Sequence, residues 1–207
     1  MGIVVLDYGL GNVGSISNML KHISTPYSVE SSNVEAIFAA DGIILPGVGS
    51  FQEAMSLLNE SGLSGVIKEA VLDKKIPILG ICLGMQLMCN FSEEGKIKGL
   101  GLIDADVVKF RFDHPTLLKV PHMGWSHVKF HKENELSIDL DLNSRFYFVH
   151  SYFVKCNDPE DIFMSTEHGL NFTSSFLRGN LFGCQFHPEK SHRYGIQLFR
   201  NFVKWCS

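Results

Sequence analysis

Ile76-Pro77-Ile78-Leu79-Gly80-Ile81-Cys82-Leu83-Gly84-Met85-Gln86-Leu87-Met88 passes from a short apolar run, through a cysteine flanked by glycines, into a helix-like stretch. Strand, sharp turn and helix around Gly-x-Cys-x-Gly make a nucleophile elbow that carries sulfur in place of a hydroxyl. Glycines on either side let the backbone take a strained turn without a Cβ clash, so the side chain at the apex is expected to point out of the protein. A thiol at a helix N-terminus feels the positive end of the dipole, which favours the nucleophilic thiolate. The competing reading of Cys82 is a small buried core residue, the usual place of a free cysteine. Its position between two glycines after a buried strand favours the nucleophile.

Outward from the elbow, the first half alternates apolar runs at 3–6, 27–29, 42–45 and 76–81 with helical patterns at 12–22, 51–59, 63–72 and 83–91. Strands alternating with helices imply a parallel sheet covered on both faces. The second half reads as successive strands at 101–110, 117–120, 127–131, 145–155, 161–165, 169–177 and 180–186, so part of the sheet is expected to be antiparallel. A closing helix over about 193–205 places Ile196, Phe199, Phe202 and Val203 on one face. The expected fold is an α/β sandwich with a mostly parallel central sheet and an antiparallel, strand-rich second half.

A chain of 207 residues is long enough for one substantial core. Hydrophobic content of 45% with 19% charge suits a folded domain, and no linker composition or internal repeat divides residues 1–207. A net charge of −4 without a Lys/Arg cluster gives no support to a nucleic-acid surface. No membrane span is read, and Met1-Gly2 leads straight into Ile3-Val4-Val5-Leu6 without a basic leader, which points to the cytoplasm. Five cysteines (Cys82, Cys89, Cys156, Cys184 and Cys206) lack framework spacing, as suits free thiols in a reducing compartment. No Cys/His pair has zinc-site spacing, and no metal is expected.

Gly183-Cys184-Gln185-Phe186-His187-Pro188-Glu189 closes the last strand with a histidine and a carboxylate two positions apart. Alternation along an extended chain would put both on one side. An imidazole takes the thiol proton and later protonates the leaving group, while a carboxylate fixes its tautomer, so Cys82, His187 and Glu189 are the candidate triad. A surface pair is the bland alternative for His-x-Glu, and His150, in Phe148-Val149-His150-Ser151-Tyr152, is the rival base. For an oxyanion, the Leu83 N–H follows the nucleophile, and the loop Pro46-Gly47-Val48-Gly49 offers the second donor or is simply a turn.

Gly9-Leu10-Gly11-Asn12-Val13-Gly14 follows a strand, opens a helix and has Glu30 about twenty residues on, which spells a dinucleotide-binding fingerprint. That reading leaves the cysteine elbow and the His-x-Glu strand end unused and little chain for a substrate domain.

Six segments carry a resemblance that runs nearly end to end: 7–12, 46–51, 80–86, 121–125 (Pro-His-Met-Gly-Trp), 146–152 and 185–191. Together they resemble the class I, triad-type glutamine amidotransferases, a flavodoxin-like family, and more narrowly the glutaminase subunits of imidazole glycerol phosphate synthases. The resemblance implies hydrolysis of L-glutamine to glutamate through a γ-glutamyl thioester, with Cys82 as nucleophile, His187 as acid and base, and Glu189 orienting it. It implies that Gln86, Glu94 and the backbone around Ser151-Tyr152 hold the glutamine, and that Val48 or Gly47 completes the oxyanion hole after a peptide reorientation. Without it, Gln86 reads as a solvent-facing helix residue and Glu94 as a charged loop residue. No cofactor is implied. The implied partner is a (β/α)8-barrel cyclase subunit that receives ammonia through the barrel and makes imidazole glycerol phosphate and aminoimidazole carboxamide ribonucleotide. Asn12, Trp125, Tyr147 and Lys190 match positions at that contact, and the 9–14 run becomes a turn near it. Burial in the chain's own core is the alternative for Trp125 and Tyr147.

Lys190-Ser191-His192-Arg193-Tyr194-Gly195 and Phe112-Asp113-His114 depart from the histidine-pathway pattern and resemble paralogues that supply ammonia for surface-sugar biosynthesis. Outside the family, a cysteine peptidase or other hydrolase on the same scaffold and a nucleotide-binding module are the remaining alternatives.

Overall fold

Four tetrapeptide strands, β1 (Ile3–Leu6), β3 (Gly42–Leu45), β4 (Ile78–Ile81) and β14 (Leu181–Cys184), have all their residues buried. Strands buried on both faces belong in the middle of a covered sheet. In the computed structural model, which describes residues 2–112 and 118–207, these strands are parallel neighbours, with β2 (Tyr27–Glu30) outside β1. Alternation sends Val4, Leu6, Ile43, Leu45 and Ile78 into one core and Ile3, Val5, Ile44, Leu79 and Ile81 into the other. The helices α1 (Val13–His22), α2 (Val34–Phe38), α3 (Phe51–Glu60) and α4 (Leu63–Lys68) link the early strands, and α5 (Leu83–Leu87) follows β4. Ser50 and Asn33 start α3 and α2 by accepting hydrogen bonds from Glu53 N–H and Ala36 N–H.

Beyond β14 the sheet turns antiparallel. β13 (Asn171–Arg178) pairs β14, β11 (Tyr152–Cys156) pairs β13, and β7 (Ala105–Lys109) pairs β11. The strands β5 (Phe91–Ser92) and β6 (Ile97–Lys98) extend that edge, while β12 (Ile162–Glu167) and β9 (Lys129–Phe130) branch from β13. A separate ribbon joins β8 (His122–His127) to β10 (Arg145–His150). The closing helix α6 (His192–Trp205) buries Leu198, Phe199 and Phe202 in the second core, which also holds Phe146, Phe148, Phe163, Phe182 and Phe186. Each such side chain contributes about 2–3 kcal/mol on burial. The expected α/β sandwich with a parallel and an antiparallel half is the fold observed.

Several boundaries differ from expectation, each for a local reason. The helix expected over 83–91 stops at Leu87: Met88 and Cys89 switch to three-residue hydrogen bonds, and Asn90 N–H is taken by the Ala105 carbonyl. The strand expected from 101 begins only at Ala105, because Leu100 and Leu102 N–H groups satisfy the Leu87 and Met88 carbonyls at the end of α5. The single strand expected over 145–155 breaks at Ser151, and its halves β10 and β11 join different sheets. The helix expected over 63–72 ends as α at Lys68 and continues as a π turn, Glu69–Asp73, with Lys74 N–H bonded to Glu69. β8 was expected only from 127; Gly124, at φ +131° inside the strand, reads in sequence as a break. Helix α2 was not expected. Of the strand expected over 117–120, Leu117 lies outside the described residues and 118–120 run without strand pairing. Asp113 and His114 also lie outside the described residues.

Candidate active site

β3, β4 and β14 end side by side at one edge of the sheet, where loops of parallel α/β sheets commonly build a binding crevice. Ile81 is in register with Cys184, and the Cys82 N–H donates to the Cys184 carbonyl at 2.8 Å. The chain just after β14 is thereby held next to the elbow after β4, and residues 46–49 arrive from the other neighbour.

The strain of the elbow sits on Cys82 itself, at φ 54° and ψ −108°. Gly80 and Gly84 are not among the left-handed glycines; as expected, they avoid Cβ clashes at the turn. A Cβ on Gly84 would collide with the Leu45 carbonyl, and one on Gly80 would lie 2.7 Å from the Met85 backbone. Gly84→Ala should therefore cost about 1–3 kcal/mol by overpacking and lower Tm by roughly 3–10 °C in thermal unfolding. An unchanged Tm would show that α5 moves freely against β3. Cys82 is also not thrust clear of the protein: it is 7% exposed and lines a cleft of about 390 Å³.

His187 lines the same cleft, and its Nδ1 lies 2.8 Å from Glu189 Oε1, with the two side chains 2% and 1% exposed. Strand alternation, the expected reason for this pairing, does not produce it. Pro188–Lys190 form a 3-10 turn closed by Lys190 N–H on the His187 carbonyl, and that turn folds the carboxylate back onto the ring. With Nδ1 committed to Glu189, Nε2 is left for the sulfur. Burial works against the charged ring, but hydrogen bonds with Cys82 and Glu189 outweigh it and hold His187 up at about 10. Asn12 Nδ2 donates to the same Glu189 Oε1 at 3.2 Å. The 9–14 run thus packs on the edge that carries the cleft, with Gly11 so near Pro46 that a Cβ would lie 2.9 Å from its ring.

The rival base is placed otherwise. His150 also lines the cleft, but its Nδ1–H donates to the Tyr152 carbonyl at 2.8 Å and its Nε2 lies 3.0 Å from His122 Nδ1. A carbonyl only accepts, so His150 Nε2 accepts from His122, and His122 Nε2 accepts from Ser126 at 2.9 Å. Burial first, then neighbouring imidazoles, pushes His150 down to about 3. Both of its ring nitrogens are occupied, and it is a neutral structural link.

Around the sulfur, Leu83, Val48, Gly49, Gln86 and Glu94 line the cleft, with Ser151 and Tyr152 opposite. Gly47 packs against the elbow, where a Cβ would lie 2.8 Å from Gly84 N and 2.9 Å from the Tyr8 hydroxyl. Tyr8, which sequence reasoning missed, donates to the Pro46 carbonyl at 2.8 Å and so fixes the start of the 46–49 loop; burial and the nearby Cys82 sulfur raise its ionisation above the ordinary phenol range. Gln86 is buried, not solvent-facing: its Nε2 donates to the Tyr152 carbonyl at 3.0 Å and to Gln185 Oε1 at 2.9 Å, leaving Oε1 as its free recognition group. Glu94 Oε2 accepts from the Phe51 N–H at 3.0 Å, tying the cleft wall to the start of α3. Trp125 is 42% exposed and stacks on His192 at an interplanar angle of 5°, with half-buried Tyr147 edge-on to it and Lys190 exposed nearby in the chain. Trp125 therefore belongs to the surface and not to the chain's own core.

The arrangement can deliver a thiolate to a carbonyl carbon, shuttle one proton through an oriented imidazole, and present acceptors to a cationic or amide group. No helix among the described residues is long and apolar enough to cross a membrane. The family model for glutamine amidotransferase class-I matches residues 4–205. The sequence is 50% identical over 202 residues, 98% of both chains, to the imidazole glycerol phosphate synthase subunit HisH 2 of Methanococcus maripaludis. It is 48% identical over 202 residues, again 98% of both, to the subunit HisH 2 of Pseudomonas aeruginosa. Among solved structures, PurLQS from Thermotoga maritima is similar with a TM-score of 0.76 at 16% identity, covering 100% of both chains. The glutaminase domain of Trypanosoma brucei CTPS gives 0.66 at 16%, covering 99% of this chain and 94% of that one. At those identities the structural likeness is one of fold.

Proposed function

The chain belongs to the class I glutamine amidotransferases, and from that premise we infer that it is the glutaminase subunit of an imidazole glycerol phosphate synthase, as its relatives are named. The observation that carries the reading is the oriented Cys82–His187–Glu189 array in a cleft that also presents Gln86, Glu94 and Ser151.

In this reading the Cys82 thiolate, whose proton is already held on His187 Nε2, attacks the side-chain amide carbon of L-glutamine. The tetrahedral oxyanion takes the Leu83 N–H and a donor from Gly47 or Val48 once that loop peptide turns. The C–N bond breaks as His187 returns the proton to the leaving nitrogen, giving ammonia and a γ-glutamyl thioester. Water then attacks the thioester, giving its proton to His187, and the C–S bond breaks to release glutamate and the thiolate. Glu189 holds the tautomer throughout. Glu94 and the Gln86 Oε1 face the α-ammonium side of the substrate, and the backbone at Ser151-Tyr152 faces its carboxylate.

A chain that only generates ammonia needs an acceptor bound elsewhere. That acceptor site belongs to a cyclase subunit in complex with this chain, and the finer reading makes the partner a (β/α)8 barrel through which ammonia travels. Trp125, Tyr147 and Lys190 form its contact face, while Asn12 serves both the face and Glu189. The test is covalent trapping. A glutamine analogue with an electrophile in place of the side-chain amide should add one equivalent of mass to the Cys82 peptide, with glutamine protecting it. Labelling elsewhere, or none while glutamine binds, would overturn the reading.

A further inference from the structure

Gln185 is fully buried just past the end of β14, two residues before His187, and has no task in the mechanism. Its amide lies between two site residues: Nε2 is 3.7 Å from the Cys82 sulfur, and Oε1 accepts from Gln86 Nε2 at 2.9 Å. The orientation is determined from outside. The Tyr152 carbonyl can only accept, so Gln86 must turn its NH2 towards both Tyr152 and Gln185, and Gln185 must therefore meet it with oxygen. That leaves the Gln185 NH2 pointing at the sulfur. His150 Nδ1–H donates to the same Tyr152 carbonyl, which pins the anchor of the network.

We propose that Gln185 is a fourth catalytic residue, whose amide N–H holds and stabilises the Cys82 thiolate while its carbonyl turns Gln86 so that only the Gln86 Oε1 faces the cleft. The need for such a donor follows from the fold. The helix behind the cysteine spans five residues, against the nine expected from sequence, so fewer aligned peptide dipoles stand behind the sulfur. A side-chain N–H on a buried sulfur anion is a charge-assisted bond in a site with little water. The same bond restrains the sulfur beside the imidazole.

This inference rests on the glutaminase reading, and its test separates the two. Alkylation of Cys82 by iodoacetamide is followed against pH by mass spectrometry in the wild-type chain and in Gln185→Met, and glutamine hydrolysis is measured with the synthase partner present. Loss of one hydrogen bond to the ionised sulfur should move the alkylation profile of Gln185→Met to higher pH by about one unit and lower kcat at least tenfold. A folded Gln185→Met with the wild-type profile overturns the proposal, and a raised KM with that profile unmoved shows that Gln185 acts on Gln86 alone and overturns it as well. Should Gln185→Met not fold, Gln185→Asn keeps the amide but withdraws it from the sulfur, and the same shift or its absence decides. A wild-type chain that hydrolyses no glutamine with its partner sinks the glutaminase reading; normal wild-type turnover with unmoved variant profiles sinks only the role of Gln185.

Discussion

Cys82→Ala is expected to abolish glutamine-dependent synthesis by the complex, by at least about 10⁴-fold in turnover, because the other members of a nucleophilic triad do almost nothing without their nucleophile. Ammonium salts supplied at high concentration should restore synthesis by the same variant to wild-type rates. The separation follows from where the sulfur sits. Its side chain lines the cleft at the margin of the second core, whereas Gly84 and Gly80 carry the packing of the elbow. The measurement is product formation with glutamine and with ammonium, together with Tm. Loss of both activities at normal Tm would mean that Cys82 serves docking to the partner, and loss of Tm would mean that it serves folding. If anything, alanine at φ 54° shares the strain of cysteine, so no stabilisation is expected from the backbone.

The central sheet and the cysteine elbow were legible because both are written locally. Ile3–Leu6, Gly42–Leu45 and Ile78–Ile81 are continuous apolar runs, and a strand buried on both faces has no other signature. Gly-x-Cys-x-Gly marks a strand–turn–helix elbow, and its glycines avoid the Cβ clashes as expected while the strain falls on the cysteine itself. What was illegible depends on partners distant in sequence. Periodicity runs unbroken through Ser151, so nothing local announces that Phe148 and Val154 belong to different sheets. The end of α5 is decided by the Ala105 carbonyl, fifteen residues beyond Asn90. Tyr8 and Gln185 act through Pro46 and Cys82, 38 and 103 residues away. A signal for Gln185 did exist: it lies two residues before His187, the residue already singled out.

The His150 comparison shows how much of catalytic identity is set by hydrogen-bond direction. Two histidines line one cleft. One donates Nδ1–H to a carboxylate, which rewards a positive ring, and the other donates it to a carbonyl while a second imidazole donates into its Nε2. Their ionisation diverges accordingly, to about 10 and about 3. Environment suits one to proton transfer and commits the other to holding Tyr152.

His187→Gln is the second large effect expected, a loss of about 10³–10⁴-fold in glutamine-dependent kcat with ammonium-dependent synthesis retained. Glutamine offers a nitrogen to the sulfur but has no group that both accepts and returns a proton near neutral pH. The sign of the pH dependence follows from the raised value. In the unfolded chain His187 ionises near 6.5, and in the folded chain near 10, so the folded state binds the proton more tightly. The stability this contributes is fully present below about 6.5 and is lost as pH rises through about 10. Denaturant unfolding of wild type and His187→Gln should therefore differ most at or below pH 6.5 and converge towards pH 10. A gap that widens with rising pH would mean that Glu189 binds a neutral ring, and the thiolate–imidazolium pair would have to be abandoned as the resting state of the site.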